Sequence, residues 1–275
     1  MRRWLPELVA LPLLPWLIFQ GRRTRKITPR LPEAVGPTIG VAKSEVFASN
    51  HSEPGPPALQ LLSFGESPVA GVGVATHYEA ITGQFAAALA IRLERPVAWQ
   101  AMGKNGATLH SAIKILLPRI TERTALQHVD VVLIAFGVND STAFRSRRRY
   151  AAELKYLLLQ LQLHLSPRLI VVAGVPPLHL FPVLPQPLRF VLGLKAKELD
   201  MATEKVVVEL SPHMNVTRVP TLKNMIDPAL LAFDGMHPSV VGAATWGRQL
   251  AAAVAPRLKY RSKKTSETAA TNGAE

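Results

Sequence analysis

Ser67 stands in Phe64-Gly65-Glu66-Ser67, directly after the apolar run Leu59-Gln60-Leu61-Leu62, and Asp234-Gly235-Met236-His237 lies near the far end of the chain. A hydroxyl is a weak nucleophile until a neighbouring base takes its proton, so a serine at a strand exit with a late Asp-x-x-His points to an activated alcohol and its imidazole. Two further loops carry residues of catalytic type, Gly103-Lys104-Asn105-Gly106-Ala107-Thr108 and Gly137-Val138-Asn139-Asp140. There is no cysteine, which excludes disulfides, thiolate zinc sites and a thiol nucleophile. The histidines at 51, 77, 110, 128, 164, 179 and 213 are isolated and show no metal-ligand spacing, so neither a metal nor another cofactor is expected. Taken singly, each candidate has a plainer reading: Ser67 as a turn serine, Asn139-Asp140 as a turn with a helix cap, His237 as a loop residue before Pro238.

These residues must be positioned by the elements before them. Strand-like runs at 59–64, 97–100, 131–136, 169–173 and 216–219 alternate with helical patterns, the signature of βα units around a parallel sheet. The run at 131–136 is continuous and apolar, as a strand buried on both faces requires. Thr76-His77-Tyr78-Glu79 reads as a capping box, with Tyr78, Ile81, Phe85 and Leu89 on the buried face of the helix it opens. Further helices are expected over 111–120, 150–165, 196–210 and from Ser239 to Ala255. Sheets of this kind bind ligands at the carboxyl ends of their strands, and three of the four blocks directly follow a predicted strand.

The net charge is +13, with +6 of it in residues 1–30 and +3 in residues 257–275. A positive excess at the ends, one of them beside an apolar segment, favours anionic lipid headgroups over nucleic acid, for which there is no aromatic-interleaved basic motif. Residues 1–26 read as an apolar anchor or signal-like segment with a basic flank. From Trp4 to Gln20 a helix would span roughly 26 Å at about 1.5 Å per residue, short of the ~30 Å hydrocarbon core. No cleavage site of small residues precedes the second basic cluster, which favours an uncleaved anchor or interfacial segment, and the heavier charge after the segment favours a cytoplasmic domain. Residues 27–57 read as a linker, 58–256 as the folded domain, and 257–275 as a basic disordered tail. The long proline-rich apolar stretch from Val175 to Phe190 is expected as a loop over the site, either packed as a rigid connection or serving as an acyl-binding wall or membrane-dipping lid with Phe181 and Leu184 as substrate contacts. Arg145 to Arg149 border that site as a solvated helix start or a contact for an anionic group.

The four blocks, in this order and spacing, resemble the SGNH or GDSL-like hydrolase family of esterases and lipases. The family carries a Gly-Asp-Ser, a glycine in a Gly-x-Thr setting, a Gly-x-Asn-Asp and an Asp-x-x-His, and the resemblance covers about residues 59–255. It implies an α/β fold, a three-layer α/β/α arrangement of flavodoxin-like type with a central parallel sheet of about five strands. It also implies a serine esterase acting through an acyl-enzyme. Ser67 would be the nucleophile, His237 its base, and Asp234 the group that orients the imidazole. The backbone N–H groups of Ser67 and Gly106 and the side-chain amide of Asn139 would form the oxyanion hole. Glycine would suit position 106 because a side chain there would obstruct the carbonyl. Glu66 departs from the family, which has Asp there. The absence of a Gly-x-Ser-x-Gly elbow argues against an ordinary α/β-hydrolase.

The apolar ends and loop point to a lipid-like acyl ester as substrate and a membrane surface as partner. The resemblance equally admits a carbohydrate O-acetyl esterase or an acyltransferase. A non-catalytic, membrane-tethered binding protein is the rival of another class, and oligomeric state is left open.

Overall fold

In the computed structural model, residues 5–43, 56–123, 128–221 and 227–271 are described. The strands are β1 (Ile39–Ala42), β2 (Leu59–Gly65), β3 (Val97–Gly103), β4 (Val131–Ala135), β5 (Leu169–Ala173) and β6 (Val216–Val219). They form a six-stranded sheet in the order β1-β3-β2-β4-β5-β6, parallel throughout except for β1, which pairs antiparallel with β3. Alternation along the strands feeds two cores. Leu62, Phe64, Val132, Ile134, Ile170 and Val172 face one side, while Leu61, Leu133, Val171 and Ala173 face the other.

Helices cover both faces. On the second face lie α2 (Ile81–Leu93) and the start of α8 (Val240–Thr271), packed on each other. The first face carries α3 (Leu109–Ile115), α4 (Leu117–Arg123), α6 (Arg147–Leu165) and α7 (Leu188–Leu210), with the short α5 (Val138–Thr142) after β4. The result is a three-layer α/β/α fold.

Several boundaries differ from expectation, each for a local reason. The sheet gains a sixth strand because 39–42, in the supposed linker, pairs its backbone with 97–100 and sets Gly40 against Trp99. A Cβ at Gly40 would lie 2.5 Å from that indole. The capping box closes as a turn: Glu79 Oε2 accepts from the Thr76 N–H at 3.0 Å, and α2 starts only at Ile81. Tyr78 therefore lies outside the helix and stacks edge-on against Trp99. α7 begins at Leu188, eight residues early, so the proline-rich stretch is a 3-10 turn (Leu178–Leu180) with Phe181, Leu184 and Leu188 buried. The supposed tail continues α8 to Thr271.

The largest difference is at the N-terminus. Residues 5–27 form α1, which packs against α7. Its buried stripe is Pro6, Ala10, Leu17, Gln20 and Thr24, spaced by three, four or seven residues along one helical face. Gln20 clips the helix to the domain, donating to the Gln186 carbonyl at 2.6 Å and accepting from the Leu188 N–H at 3.1 Å. Lys195, fully buried on α7, bonds Glu7 of α1 at 2.6 Å and Glu198 at 2.7 Å, with the Phe144 ring 5.1 Å from its ammonium. Among the described residues no helix is long and apolar enough to cross a membrane.

Removing one partner of a buried ion pair leaves the other desolvated and uncompensated. Lys195→Ala, which strands the Glu198 carboxylate, is expected to lower the urea unfolding free energy by about 3 kcal/mol. The double variant Lys195→Met/Glu198→Leu should lose less than half of that, measured on the same unfolding curves.

Candidate active site

Ser67 follows β2 at the carboxyl edge of the sheet, in a loop whose turns are closed by the Glu66 carbonyl accepting from Val69 and Ala70 N–H and the Ser67 carbonyl accepting from Val72 N–H. Two glycines allow the loop to lie flat on the sheet. A Cβ at Gly65 would sit 2.4 Å from Val69, and one at Gly103 would sit 2.2 Å from the Ala70 nitrogen.

Glu66 braces this loop to the next. Its Oε1 accepts the Val138 N–H at 2.9 Å, and its Oε2 accepts the Asn139 N–H at 3.0 Å and the Asn139 side-chain amide at 2.6 Å. The longer Glu in place of Asp thus spans from the end of β2 to the first turn of α5. Burial pushes the Glu66 carboxyl up to about 8, against the pull of these three donors. Asp140 ties in the third loop: its Oδ2 accepts the first N–H of α3, at Leu109, at 2.9 Å. Burial raises the Asp140 carboxyl to about 6.

The amide of Asn139 also donates to the Ala107 carbonyl at 3.2 Å. Both of its hydrogens are therefore engaged, and an oxyanion would have to displace the longer bond, to Ala107. Among the described residues the backbone N–H groups of Ser67 and Gly106 have no hydrogen-bond partner. Gly106 has φ +74, and a Cβ there would meet nothing within 4 Å. The left-handed backbone there favours glycine, and no protein atom crowds the position.

Asp234 and His237 form a tight turn before α8. Asp234 Oδ1 accepts the N–H groups of Met236 and His237 at 2.9 and 3.0 Å, and its Oδ2 lies 2.5 Å from His237 Nδ1. Gly235, at φ +67, makes the reversal possible. Burial alone would raise the Asp234 carboxyl, but the imidazole and these two N–H donors hold it below its ordinary value. With Nδ1 held, Nε2 is the nitrogen left to accept a proton.

Ser67 and His237 line one cavity of about 220 Å³, together with Glu66, Asn105, Asn139, Phe181 and Met236. Their two loops touch at Gly73, where a Cβ would lie 2.7 Å from the Pro238 carbonyl and 3.2 Å from His237 Cβ. No hydrogen bond joins the Ser67 hydroxyl to the imidazole among the described residues. Gly106 lines a neighbouring cavity of about 510 Å³ that shares Asn105, Asn139 and His237 with the first and extends to Arg25 and Arg30. Of the two apolar residues expected to contact substrate, Phe181 faces the serine cavity, and Leu184 faces a separate apolar cleft. Arg145 lies to the side, paired with Glu153 at 2.6 Å. The residues of α1 at the site, Arg25 among them, were not expected from sequence; their signal was the buried stripe that begins at Pro6.

The profile of the GDSL-like lipase/acylhydrolase family matches residues 63–245, more than half of the chain. Solved structures show the same fold. A lipase/acylhydrolase from Enterococcus faecalis aligns with TM-score 0.55 at 21% identity, over 72% of this chain and 96% of its own. TesA aligns with TM-score 0.55 at 16% identity, over 72% and 99%. A carbohydrate esterase family 2 enzyme with a carbohydrate-binding domain, from Corynascus thermopiles (Myceliophthora fergusii), aligns with TM-score 0.51 at 16% identity, over 77% and 70%. Among curated proteins, none matches the sequence.

Two outcomes test this geometry. Gly73→Ala should force the histidine loop away from the serine loop and lower kcat/KM for a short-chain ester by roughly 10²-fold, read by steady-state assay. Because the Glu66 carboxyl titrates near 8 in the folded protein and near 4.5 when unfolded, the folded state holds the extra proton between these values. Stability should therefore fall as pH rises through that window. The urea midpoint of the wild type is expected to decline from pH 5 to 8 relative to Glu66→Gln, which cannot titrate.

Proposed function

The chain belongs to the GDSL-like lipase/acylhydrolase family and is an ester-hydrolysing enzyme, and we propose that Ser67, His237 and Asp234 are its catalytic triad and that its substrate is a lipid-like acyl ester. The observation that carries the triad is the 2.5 Å contact of Asp234 with His237 Nδ1 on the rim of the cavity that Ser67 lines.

Ser67 Oγ attacks the ester carbonyl carbon as Nε2 of His237 takes the hydroxyl proton. The C=O π pair moves to oxygen. The resulting oxyanion is received by the N–H groups of Ser67 and Gly106 and by the Asn139 amide, which trades its bond to Ala107 for it. The imidazolium, steadied by the Asp234 carboxylate, returns the proton to the departing alcohol, leaving the acyl group on Ser67. Water, deprotonated by the same imidazole, then attacks the acyl carbon, and the acid leaves as Ser67 regains its proton. Ser67 and His237 line the same cavity, and a catalytic hydrogen bond between such groups often tightens only on substrate.

A lipid-like acyl group is supported by the apolar lining beside the site, and a membrane surface as partner is supported by α1. Its outward side bears Leu8, Leu11, Trp16 and Phe19, each more than half exposed, and is followed by Arg22, Arg23, Arg25 and Lys26. An exposed apolar face ending in a basic cluster has the character of an interfacial helix on anionic lipid. In this reading α1 lies in the headgroup region and delivers the domain to its substrate.

A fluorophosphonate is expected to label Ser67 and no other residue, read by peptide mass spectrometry. Ser67→Ala and His237→Ala should each lower kcat by roughly 10³-fold or more. Full turnover by Ser67→Ala would reject the triad, and equal turnover of dispersed and vesicle-bound ester would reject the membrane partner.

A further inference from the structure

α1 lies outside the family-matched residues 63–245, yet it forms one wall of a cleft that adjoins the site. The cleft holds about 690 Å³ and adjoins the Ser67 cavity as a distinct space, within the size range of small-molecule sites. Leu14, Leu17 and Ile18 of α1 face Leu188, Val191 and Leu192 of α7 across it. Its inner end reaches Val138, Asn139 and Met236, and all three also line the Ser67 cavity. The Glu7–Lys195 and Gln20–Leu188 clips hold α1 in place along the cleft, so the space between the helices is a built site.

From the same Asn139 and Met236 the other cavity departs toward Arg25 and Arg30. Neither arginine makes an ion pair among the described residues. An ester likewise has two arms diverging from one carbonyl carbon. The first branch is lined mostly by hydrocarbon, with Glu7, Arg22 and Arg25 among its residues, while the second holds Arg30, Asn105, Asp234 and His237, and Arg25 is common to both. A hydrocarbon chain is favoured in the first, and the alcohol side, which must meet water and the imidazole, is favoured in the second.

We infer that the N-terminal helix is part of the substrate site: the acyl chain runs from Ser67 into the cleft between α1 and α7, and α1 sets the chain length the enzyme accepts. The orientation rests on the reading of Ser67 as nucleophile. The α1 residues that line the cleft run from Glu7 to Arg25, roughly 27 Å at about 1.5 Å per residue, room for a long chain. Each methylene taken from water should raise kcat/KM by about 4-fold until the cleft is filled.

The test uses the full chain in two arms. In the first, kcat/KM is measured for p-nitrophenyl esters from acetyl to hexadecanoyl, kept below their aggregation limits. The wild type should prefer dodecanoyl to acetyl by at least 10-fold. Leu14→Trp on α1 and Leu192→Trp on α7, which fill the cleft from opposite walls, should each cut that ratio by at least 10-fold and shift the optimum to shorter chains. A ratio unchanged within 2-fold in both variants, with wild-type circular dichroism, would overturn the inference. The second arm does not depend on turnover. Ser67→Ala protein is irradiated with a dodecanoyl ester bearing a terminal diazirine, and the adducts are mapped. Adducts within 5–27 or 188–192 that Leu192→Trp suppresses support the cleft, and adducts confined elsewhere overturn it. If the adducts map to the cleft while Ser67→Ala retains full turnover, the nucleophile assignment fails and the cleft stands.

Discussion

The buried carboxyl of Glu66 is the constraint on which the site depends. It leaves β2 one residue before the candidate nucleophile and accepts three N–H donors from the start of α5, so the exits of two adjacent parallel strands cannot move apart independently. Asn139 passes the constraint on to Ala107, and Asp140 passes it to Leu109 at the head of α3. Three loops that share no sequence neighbourhood become one rigid rim. Hydrogen bonds in such a chain are sheltered from water, where an unmade bond costs more than a made one contributes, and this favours the arrangement in which these bonds are made.

The histidine loop joins this rim by packing rather than by hydrogen bonds. Gly73 and the Pro238 carbonyl approach within a distance no Cβ would permit, and the Asp234 carboxylate gathers three donors from its own turn. The imidazole is thus oriented locally and placed by contact. A serine loop braced from below and a histidine loop resting on it bring the hydroxyl and the imidazole to one cavity.

Much of this was legible in the sequence because parallel sheets announce themselves. The runs at β4 and β5 are apolar at every position and that at β2 is broken only by Gln60 and Ser63, and the blocks that follow them fall at the carboxyl edge by topology alone. Glu66 was recognisable as a departure from the family's Asp, although its partners were not. What stayed hidden depended on contacts between distant segments. β1 is four residues whose pairing is with backbone, which leaves almost no side-chain signature. α7 was expected eight residues late, since the prolines before it mask a helix start that the Gln20 side chain caps from another element. α1 misled most. Its outward face is as apolar as its inward one, so the pattern reads as a membrane segment, while the stripe that docks it includes Pro6, Gln20 and Thr24. The polar members of that stripe were the clue to its docked side, because a glutamine that bonds two backbone groups ties that side to the domain.

Since the whole account turns on one carbonyl-sized space surrounded by groups from four stretches of chain, the most direct measurement is a crystal structure of the protein after reaction with a dodecyl fluorophosphonate. The account predicts phosphorus bonded to Ser67 Oγ, with a phosphoryl oxygen about 2.7–3.1 Å from the N–H groups of Ser67 and Gly106 and from Asn139 Nδ2. It also predicts His237 Nε2 within hydrogen-bond reach of the other oxygen and the alkyl chain lying between α1 and α7. An adduct on another residue, or one on Ser67 with the imidazole turned away and the phosphoryl oxygen in solvent, would contradict it.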